Sequence, residues 1–289
     1  MKFSKIKFLF RDKLNIYILL VVCCSFLSCT KGKNQINNTV NNTAIAKGVW
    51  WKPQAGVTFD WLLDNPDPNV SFSSDVVDVD AFETPIETIS ALHALGKKVI
   101  AYVSVGTIEG TRPDGNLLPS GVVGKVYPEW PDEKWVDIRQ ISKIKPWLLS
   151  RFSMISNKKF DAIEPDNLDG YSNDSGFNLT ILDEKKFCDS IITYAHLYGL
   201  GIGQKNLPEF SAEFSEKFDW ALTEDAYNQG WAKDMMPYID KKKPVFIVEY
   251  TDMMSQQIFD NTVCTDSKKR AYSAILKNRN LDKWSHTCR

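Results

Sequence analysis

The sequence predicts an α/β chain, a (β/α)8 TIM barrel in a single domain, preceded by a lipoprotein signal and a flexible tether. Three observations predict it. From Val49 onward short apolar runs alternate with amphipathic stretches, the pattern of strands alternating with helices around a parallel sheet. Eight such runs can be placed, which is the barrel number. Acidic, basic and amide residues recur where the runs end, as they must when all strand ends converge on one rim.

The chain opens with a targeting segment. A basic region through Lys13 precedes the apolar run from Ile16 to Leu27, which at about 12 residues is too short to span a bilayer, where ~20 are needed. Ser28-Cys29 then resembles a bacterial lipoprotein cleavage site, at which Cys29 becomes the lipidated first residue and anchors the chain to a membrane outside the cytoplasm. An ordinary secretory peptide is the alternative. Residues 29–46 are polar, rich in Asn and without apolar period, and read as a tether. The domain is then 47–289, long enough to bury one large core. The whole chain carries 35 basic and 36 acidic residues; without residues 1–28 it carries 30 and 35, a mildly acidic balance that argues against nucleic acid as a partner. A monomer is expected.

Candidate strands are residues 58–63, 76–80, 98–106, 160–166, 201–206, 220–224 and 245–250, with a weaker eighth near 274–276. Between them, Thr84-Pro85-Ile86-Glu87 supplies an N-cap, a proline at the first helical position and the acid of a capping box, and Gly96 stops that helix. Thr180 and Asp183 open another, with Phe187, Ile191, Tyr194 and Tyr198 on one face before Gly199. His93 and His196 lie inside these helices and read as packing or surface residues, and His286 is far from any motif. Neither a histidine metal site nor histidine-based nucleophilic chemistry has support. Residues 107–135 hold Pro113, Pro119, Pro128 and Pro131 and no clear element, so they read as a lid or binding loop. Trp130 and Trp135 near its end either stack on sugar rings or anchor the loop in the core.

The densest chemistry lies at Phe160-Asp161-Ala162-Ile163-Glu164-Pro165-Asp166-Asn167-Leu168-Asp169-Gly170-Tyr171. Alternation puts Ala162, Glu164 and Asp166 on one side of a strand and Ile163 on the other, until Pro165 and Gly170 end the ladder. Counting a calcium loop from Asp166 puts Leu168 at the third ligand position, so EF-hand spacing fails. The other strand ends add Asp80; Glu109, Arg112 and Asp114; Lys205 and Asn206; Glu224 and Asp225; and Glu249 and Tyr250. Salt bridges and caps would account for some of these, but their regular placement favours a common site.

At these residues the chain resembles glycoside hydrolase family 114, the endo-α-1,4-polygalactosaminidase family. The resemblance rests on Trp51-Lys52-Pro53, Asp78-Val79-Asp80, the run from Gly96 to Ser104, Glu109 with Arg112-Pro113-Asp114, Trp130-Pro131, the run from Trp135 to Arg139, Glu164 to Tyr171, Lys205-Asn206 and Glu249-Tyr250, in that order. It implies a (β/α)8 barrel that cleaves α-1,4-linked galactosamine polymers with two carboxyl residues, which fall on Asp166 and Glu224. Thr223-Glu224-Asp225-Ala226-Tyr227 lacks the family's usual Asn, Gln and Cys around the glutamate, and Ala101 replaces a common Cys.

Glycoside cleavage needs one carboxyl that donates a proton to the leaving oxygen and another that acts on the oxocarbenium-like centre. Asp166 is assigned as nucleophile and Glu224 as general acid/base. Substrate contacts are expected from Asp80, Glu109, Arg112, Asp114, Asn167, Asp169, Tyr171, Lys205, Asn206, Glu249 and Tyr250; no cofactor or metal is called for. With Arg112 and Lys205 as its chief cations, so acidic a rim should favour a polymer bearing free amines. Two rivals are a non-catalytic carbohydrate-binding surface lipoprotein, which would not need both carboxylates, and a metal-dependent hydrolase using the acidic rim. Finally, Cys264 and Cys288 bracket the last helix-like stretch of an exported chain and should form a disulfide, while Cys188 stays free.

Overall fold

The protein is described by a computed structural model over residues 49–64 and 71–288. The signal, the Asn-rich tether and the lipidation site at Cys29 lie outside the described residues. The chain runs through β1 (Phe59–Leu62), β2 (Val76–Asp80), α1 (Ile86–Ala94) and β3 (Lys98–Ser104), then through β4 (Thr107–Glu109), β5 (Val123–Tyr127) and β6 (Trp130–Val136). It continues through α2 (Ile141–Asn157), β7 (Ala162–Asp166), α3 (Ile181–Leu197), β8 (Gly201–Lys205), α4 (Ser211–Phe214), β9 (Trp220–Glu224), α5 (Met236–Asp240) and β10 (Val245–Tyr250). Short helical segments α6 (Gln256–Ile258) and α7 (Thr265–Arg270), joined by a π-type turn over Phe259–Cys264, lead to β11 (Ser273–Lys277) and β12 (Ser285–Thr287).

Strands β1, β2, β3, β7, β8, β9, β10 and β11 lie side by side in that order with every neighbouring pair parallel. All eight expected strands are present, and the sheet they form is a nearly closed (β/α)8 barrel. Its seam lies between β1 and β11. There the backbone N–H groups of Leu63 and Asp64 donate to the Leu281 carbonyl at 3.0 and 3.2 Å, and the buried Lys277 ammonium reaches Asp60 at 3.3 Å. β12 extends β11 as an antiparallel strand.

The period-two alternation of the strands sorts the apolar residues into two cores. Phe59, Trp61, Ile100, Ala162, Trp220, Leu222, Phe246 and Val248 fill the barrel interior. Val77, Val79, Val99, Ala101, Ile163, Ile202, Ala221 and Ile247 point outward and pack with the helices, α2 contributing Trp147, Leu148 and Phe152 and α3 contributing Phe187 and Ile191. Inside the barrel Trp220 lies over Gly203, where any β-carbon would meet its ring at 2.6 Å.

The helix ends divide. Thr180 and Asp183 form the expected reciprocal capping box on α3, and Gly96 and Gly199 follow their helices at φ +77° and +72°. Thr84, by contrast, does not cap α1. Its hydroxyl is buried without a partner among the described residues, and the preceding turn is held by Asp80 Oδ1, which accepts from the Phe82 and Glu83 N–H groups at 2.8 and 2.7 Å. Asp80 thus orders the turn that leads into α1, and the helix itself starts at Pro85 with no side-chain cap.

Residues 107–135 also depart from expectation, because they contain three strands. These form a separate antiparallel sheet in the order β4-β6-β5. Arg151, fully buried on α2, fixes the excursion by donating to Asp114 at 2.7 and 3.0 Å and to the Ser104 carbonyl at 2.6 Å. Cys264 and Cys288 form a disulfide with their Cα atoms 5.1 Å apart, and Cys188 is free and buried. The three histidines each meet an aspartate: His93 with Asp161, His196 with Asp219 and His286 with Asp260.

Candidate active site

Three neighbouring strands leave the barrel rim in the same way. Asp166 ends β7 and is followed by Asn167 at φ +62°; Lys205 ends β8 and is followed by Asn206 at +48°; Glu224 ends β9 and is followed by Asp225 at +54°. Left-handed backbone costs most residues about 1–2 kcal/mol, and Asn and Asp are the side chains that visit it most readily after Gly. Each strand therefore turns away sharply and leaves its last side chain standing at the mouth. The amides then brace the rim. Asn206 Oδ1 accepts from the Glu224 N–H at 2.9 Å, and Asn167 Nδ2 donates to Ser104 Oγ, Thr107 Oγ1 and Glu133 Oε2 at 3.0, 2.9 and 3.1 Å.

Lys205 is the centre of the arrangement. Its ammonium lies 2.7 Å from Glu164 Oε1, 3.0 Å from Asp166 Oδ1 and 3.0 Å from Glu224 Oε2, and 4.7 Å above the Trp61 ring. Burial alone would pull this ammonium down, but the charges of Asp166, Glu164 and Glu224 outweigh it and hold its pKa well above the usual lysine value. A permanent cation thus occupies the point where three carboxylates converge. The remaining oxygens are fixed by phenols: Tyr102 donates to Asp166 Oδ2 at 2.8 Å, and Tyr250 donates to Glu224 Oε1. Arg279, from the loop after β11, lies 3.8 Å from the Tyr250 ring and bonds Asp225 at 2.8 Å.

These groups lie in a cleft of about 850 Å³ at the C-terminal ends of the barrel strands. Its lining contains nine acidic side chains against three basic ones, Arg112, Lys205 and Arg279, so its charge is strongly negative. Much of that charge is paired. Arg112 holds Asp80 at 2.6 Å and Glu109 at 2.8 Å, Lys205 holds Asp166 and Glu224, and Arg279 holds Asp225. Among the described residues Glu129, Glu133 and Asp169 on one flank have no cationic partner. Burial pushes the Glu133 carboxyl up to about 7 against the pull of its Thr107 bond, and burial with the Asp166 charge raises Asp169.

Of the residues expected to contact substrate, Asp80, Glu109, Arg112, Asn167, Asp169, Lys205, Asn206 and Tyr250 line the cleft with Asp166 and Glu224. Three do not. Asp114 is turned away to Arg151, and the Tyr171 hydroxyl donates to Glu209. Glu249 is fully buried and accepts from the backbone N–H groups of Tyr227 and Asn228 at 2.7 and 3.2 Å, so it holds the loop after β9 instead of facing the cleft. The two tryptophans of the excursion split: Trp130 is 55% exposed at the cleft edge, whereas Trp135 is 1% exposed and anchors the sheet.

Tyr102, Trp61, Glu133 and Arg279 were not singled out in the sequence. Tyr102 and Trp61 sit in apolar strand runs and look like core aromatics. Glu133 and Arg279 belong to loops whose positions no periodicity reports. Only the inward parity of Tyr102, two residues beyond Ile100, could have placed it in the mouth.

Comparison with solved structures places the fold among carbohydrate-active enzymes. Ega3 from Aspergillus fumigatus, solved in complex with galactosamine, is 29% identical, with a TM-score of 0.77 over 82% of this chain and 97% of that one. The glycoside hydrolase domain of PelA from Pseudomonas aeruginosa shares the fold at 16% identity, with a TM-score of 0.60 over 81% of this chain and 99% of that one. A family GH18 chitinase from Pseudoalteromonas aurantia matches at 14% identity, with a TM-score of 0.50 over 78% and 94%. No curated protein matches the chain. The profile of glycoside-hydrolase family GH114 matches residues 40–289, which takes in the barrel, the excursion and all three converging carboxylates. The chain belongs to glycoside-hydrolase family GH114 and is a glycoside hydrolase.

Proposed function

We propose that the protein cleaves α-1,4-linked galactosamine polysaccharide within the chain, with Asp166 and Glu224 as the reacting carboxyl pair. One observation carries the proposal: Asp166 Oδ1 and Glu224 Oε2 are each 3.0 Å from a single nitrogen, Lys205 Nζ. The two oxygens therefore stand no farther apart than twice that distance. This lies below the ~6.5–9.5 Å that leaves room for an inverting water and fits the ~5–5.5 Å of a retaining pair. Asp166, the shorter and less exposed of the two at 20% against 27%, suits a fixed nucleophile. Glu224, longer and nearer solvent, suits the group that protonates the leaving oxygen and then activates water. The lining extends to Glu129 and Trp130 on one flank and to Gln229 and Arg279 on the other, so sugars can occupy both sides of the pair, as endo-action requires.

The substrate is proposed from the galactosamine bound by Ega3 and from the uncompensated acids of the flank, which attract a polymer bearing free amines. Export and anchoring through a lipid on Cys29 belong to the same proposal, and the Cys264–Cys288 disulfide fits an oxidising compartment. Asp166→Asn and Glu224→Gln should each lower turnover by about 10³-fold or more with the thermal transition unchanged. A folded Asp166→Asn protein with full turnover would overturn the assignment of the pair. For the substrate, rates are measured on polymers of graded acetylation at low and high salt. Deacetylated stretches should be cut faster, and the difference should shrink as the field is screened to ~8 Å at physiological ionic strength. Equal rates at every acetylation level would remove electrostatic selection.

A further inference from the structure

Beneath Lys205 lies a carboxyl pair that the cleavage chemistry does not use. Asp78 on β2 and Glu164 on β7 are both fully buried. Glu164 Oε1 accepts from Lys205, but among the described residues Glu164 Oε2 and both oxygens of Asp78 have no N–H or O–H partner. Three buried carboxylate oxygens without a donor would cost several kcal/mol of desolvation. The two side chains are within hydrogen-bonding reach of each other, and such a bond between two acids exists only when one of them carries a proton.

We infer that Asp78 is a neutral acid that donates its proton to Glu164 Oε2, and that this proton positions Lys205 between Asp166 and Glu224. The proton belongs on Asp78 because Glu164 already receives the Lys205 ammonium, which favours its anionic form. Burial, followed by the charge of Glu164, raises Asp78 well above the carboxylate range, while Lys205 opposes the rise from β8 and Asp80 reinforces it from β2. Tyr102 from β3 and Asp166 from the end of β7 also face Glu164. With Asp78 neutral, the ammonium balances Glu164 and remains shared with the two reacting carboxylates. An ionised Asp78 would add a fourth anion to one cation in a closed space. Asp78 and Glu164 are thus positioning residues that act through Lys205, and the inference rests on the proposed pair only for its effect on turnover.

The proton can be read directly. Infrared difference spectra of the whole protein at about pH 8, where ordinary carboxyls are ionised, should show a carboxylic C=O band that is present in wild type and absent in Asp78→Asn. Glu184, also buried with a raised carboxyl, contributes equally to both proteins and cancels. Asp78→Asn keeps an N–H donor toward Glu164, so kcat should stay within about threefold of wild type, whereas Glu164→Gln, which removes the main anchor of Lys205, should lower kcat by about 100-fold with little change in KM. A difference spectrum without the band, or an Asp78→Asn protein as impaired as Glu164→Gln, would overturn the inference. The band is independent of which carboxyl attacks, so loss of the Asp166 assignment alone would leave it in place.

Discussion

Lys205 shows how one side chain can decide the state of several others. Its ammonium is the shared partner of Glu164, Asp166 and Glu224; Asp166, Lys205 and Glu224 end adjacent strands, and Glu164 lies one inward position deeper on β7. Removing the cation while keeping the volume, as in Lys205→Met, leaves three carboxylates facing one another with no counter-charge. Breaking a buried pair from one side costs about 3–5 kcal/mol, because the abandoned charge remains desolvated. Urea unfolding of Lys205→Met should show a loss of that size together with at least a ~100-fold fall in turnover. Unchanged stability would mean that the three acids are already neutralised by other means. At this scale the sequence was legible where a charged residue closed an apolar run, as Asp166, Lys205 and Glu224 do. It was misleading at Glu249, which also closes a strand but whose side chain meets two backbone N–H groups of the preceding loop. Position along a strand is readable from alternation; the direction of a long side chain beyond the strand end is not.

The element that positions this group is the junction of β3, β7 and the antiparallel excursion, and its tightest point is Gly106. A β-carbon there would lie 1.7 Å from the Asn167 carbonyl oxygen and 2.8 Å from its carbon, both backbone atoms. Gly106 also joins the two sheets: its N–H and that of Val105 donate to the Asp166 carbonyl, and its own carbonyl accepts from the Val136 N–H at 2.9 Å. Gly106→Ala must therefore displace the backbone that carries Asp166. Overpacking of this kind costs about 1–3 kcal/mol, and a shift of ~1 Å in a reacting group costs about 100-fold in rate. Turnover should accordingly fall far more than thermal stability, and an active Gly106→Ala protein would show that the nucleophile's position is not set there. The eight barrel strands and α3 with its capping box were legible because burial imposes a period on them. The excursion was not, since β5 is largely exposed and has no apolar alternation. Pro131 in β6 is tolerated because it lies in the irregular stretch between the β5 pairings of Trp130 and Lys134, where the ladder register shifts.

Across the whole molecule, buried carboxyls set the dependence of stability on pH. Burial raises Asp78, Glu164, Asp169 and Glu184, and it pushes Glu133 and Glu249 up to about 7. For Glu249 the N–H groups of Tyr227 and Asn228 oppose the rise but do not cancel it. A carboxyl with a raised pKa binds its proton more tightly in the folded state. For Glu133 and Glu249 the contribution is complete below the unfolded value of 4.5 and is lost as pH rises through about 7. A second set behaves in the opposite way. Hydrogen bonds lower Asp75, Asp252 and Asp266, which accept from Thr58, Arg279 and Arg270, so their contribution is present above the unfolded value of 3.8 and is lost only in stronger acid. Between the two windows, at about pH 4–4.5, both contributions are retained, and stability should be greatest there. For Glu249, whose window runs from 4.5 to about 7, the contribution is worth up to about 3 kcal/mol. Thermal unfolding should therefore show Tm falling by about 5 °C or more from pH 5 to pH 8. Glu249→Gln, which keeps the shape and cannot ionise, should flatten that slope without altering the acid limb. A Tm that rises from pH 5 to pH 8 would mean that the buried acids are ionised and compensated throughout, and the negative cleft would then owe nothing to protons held in the barrel.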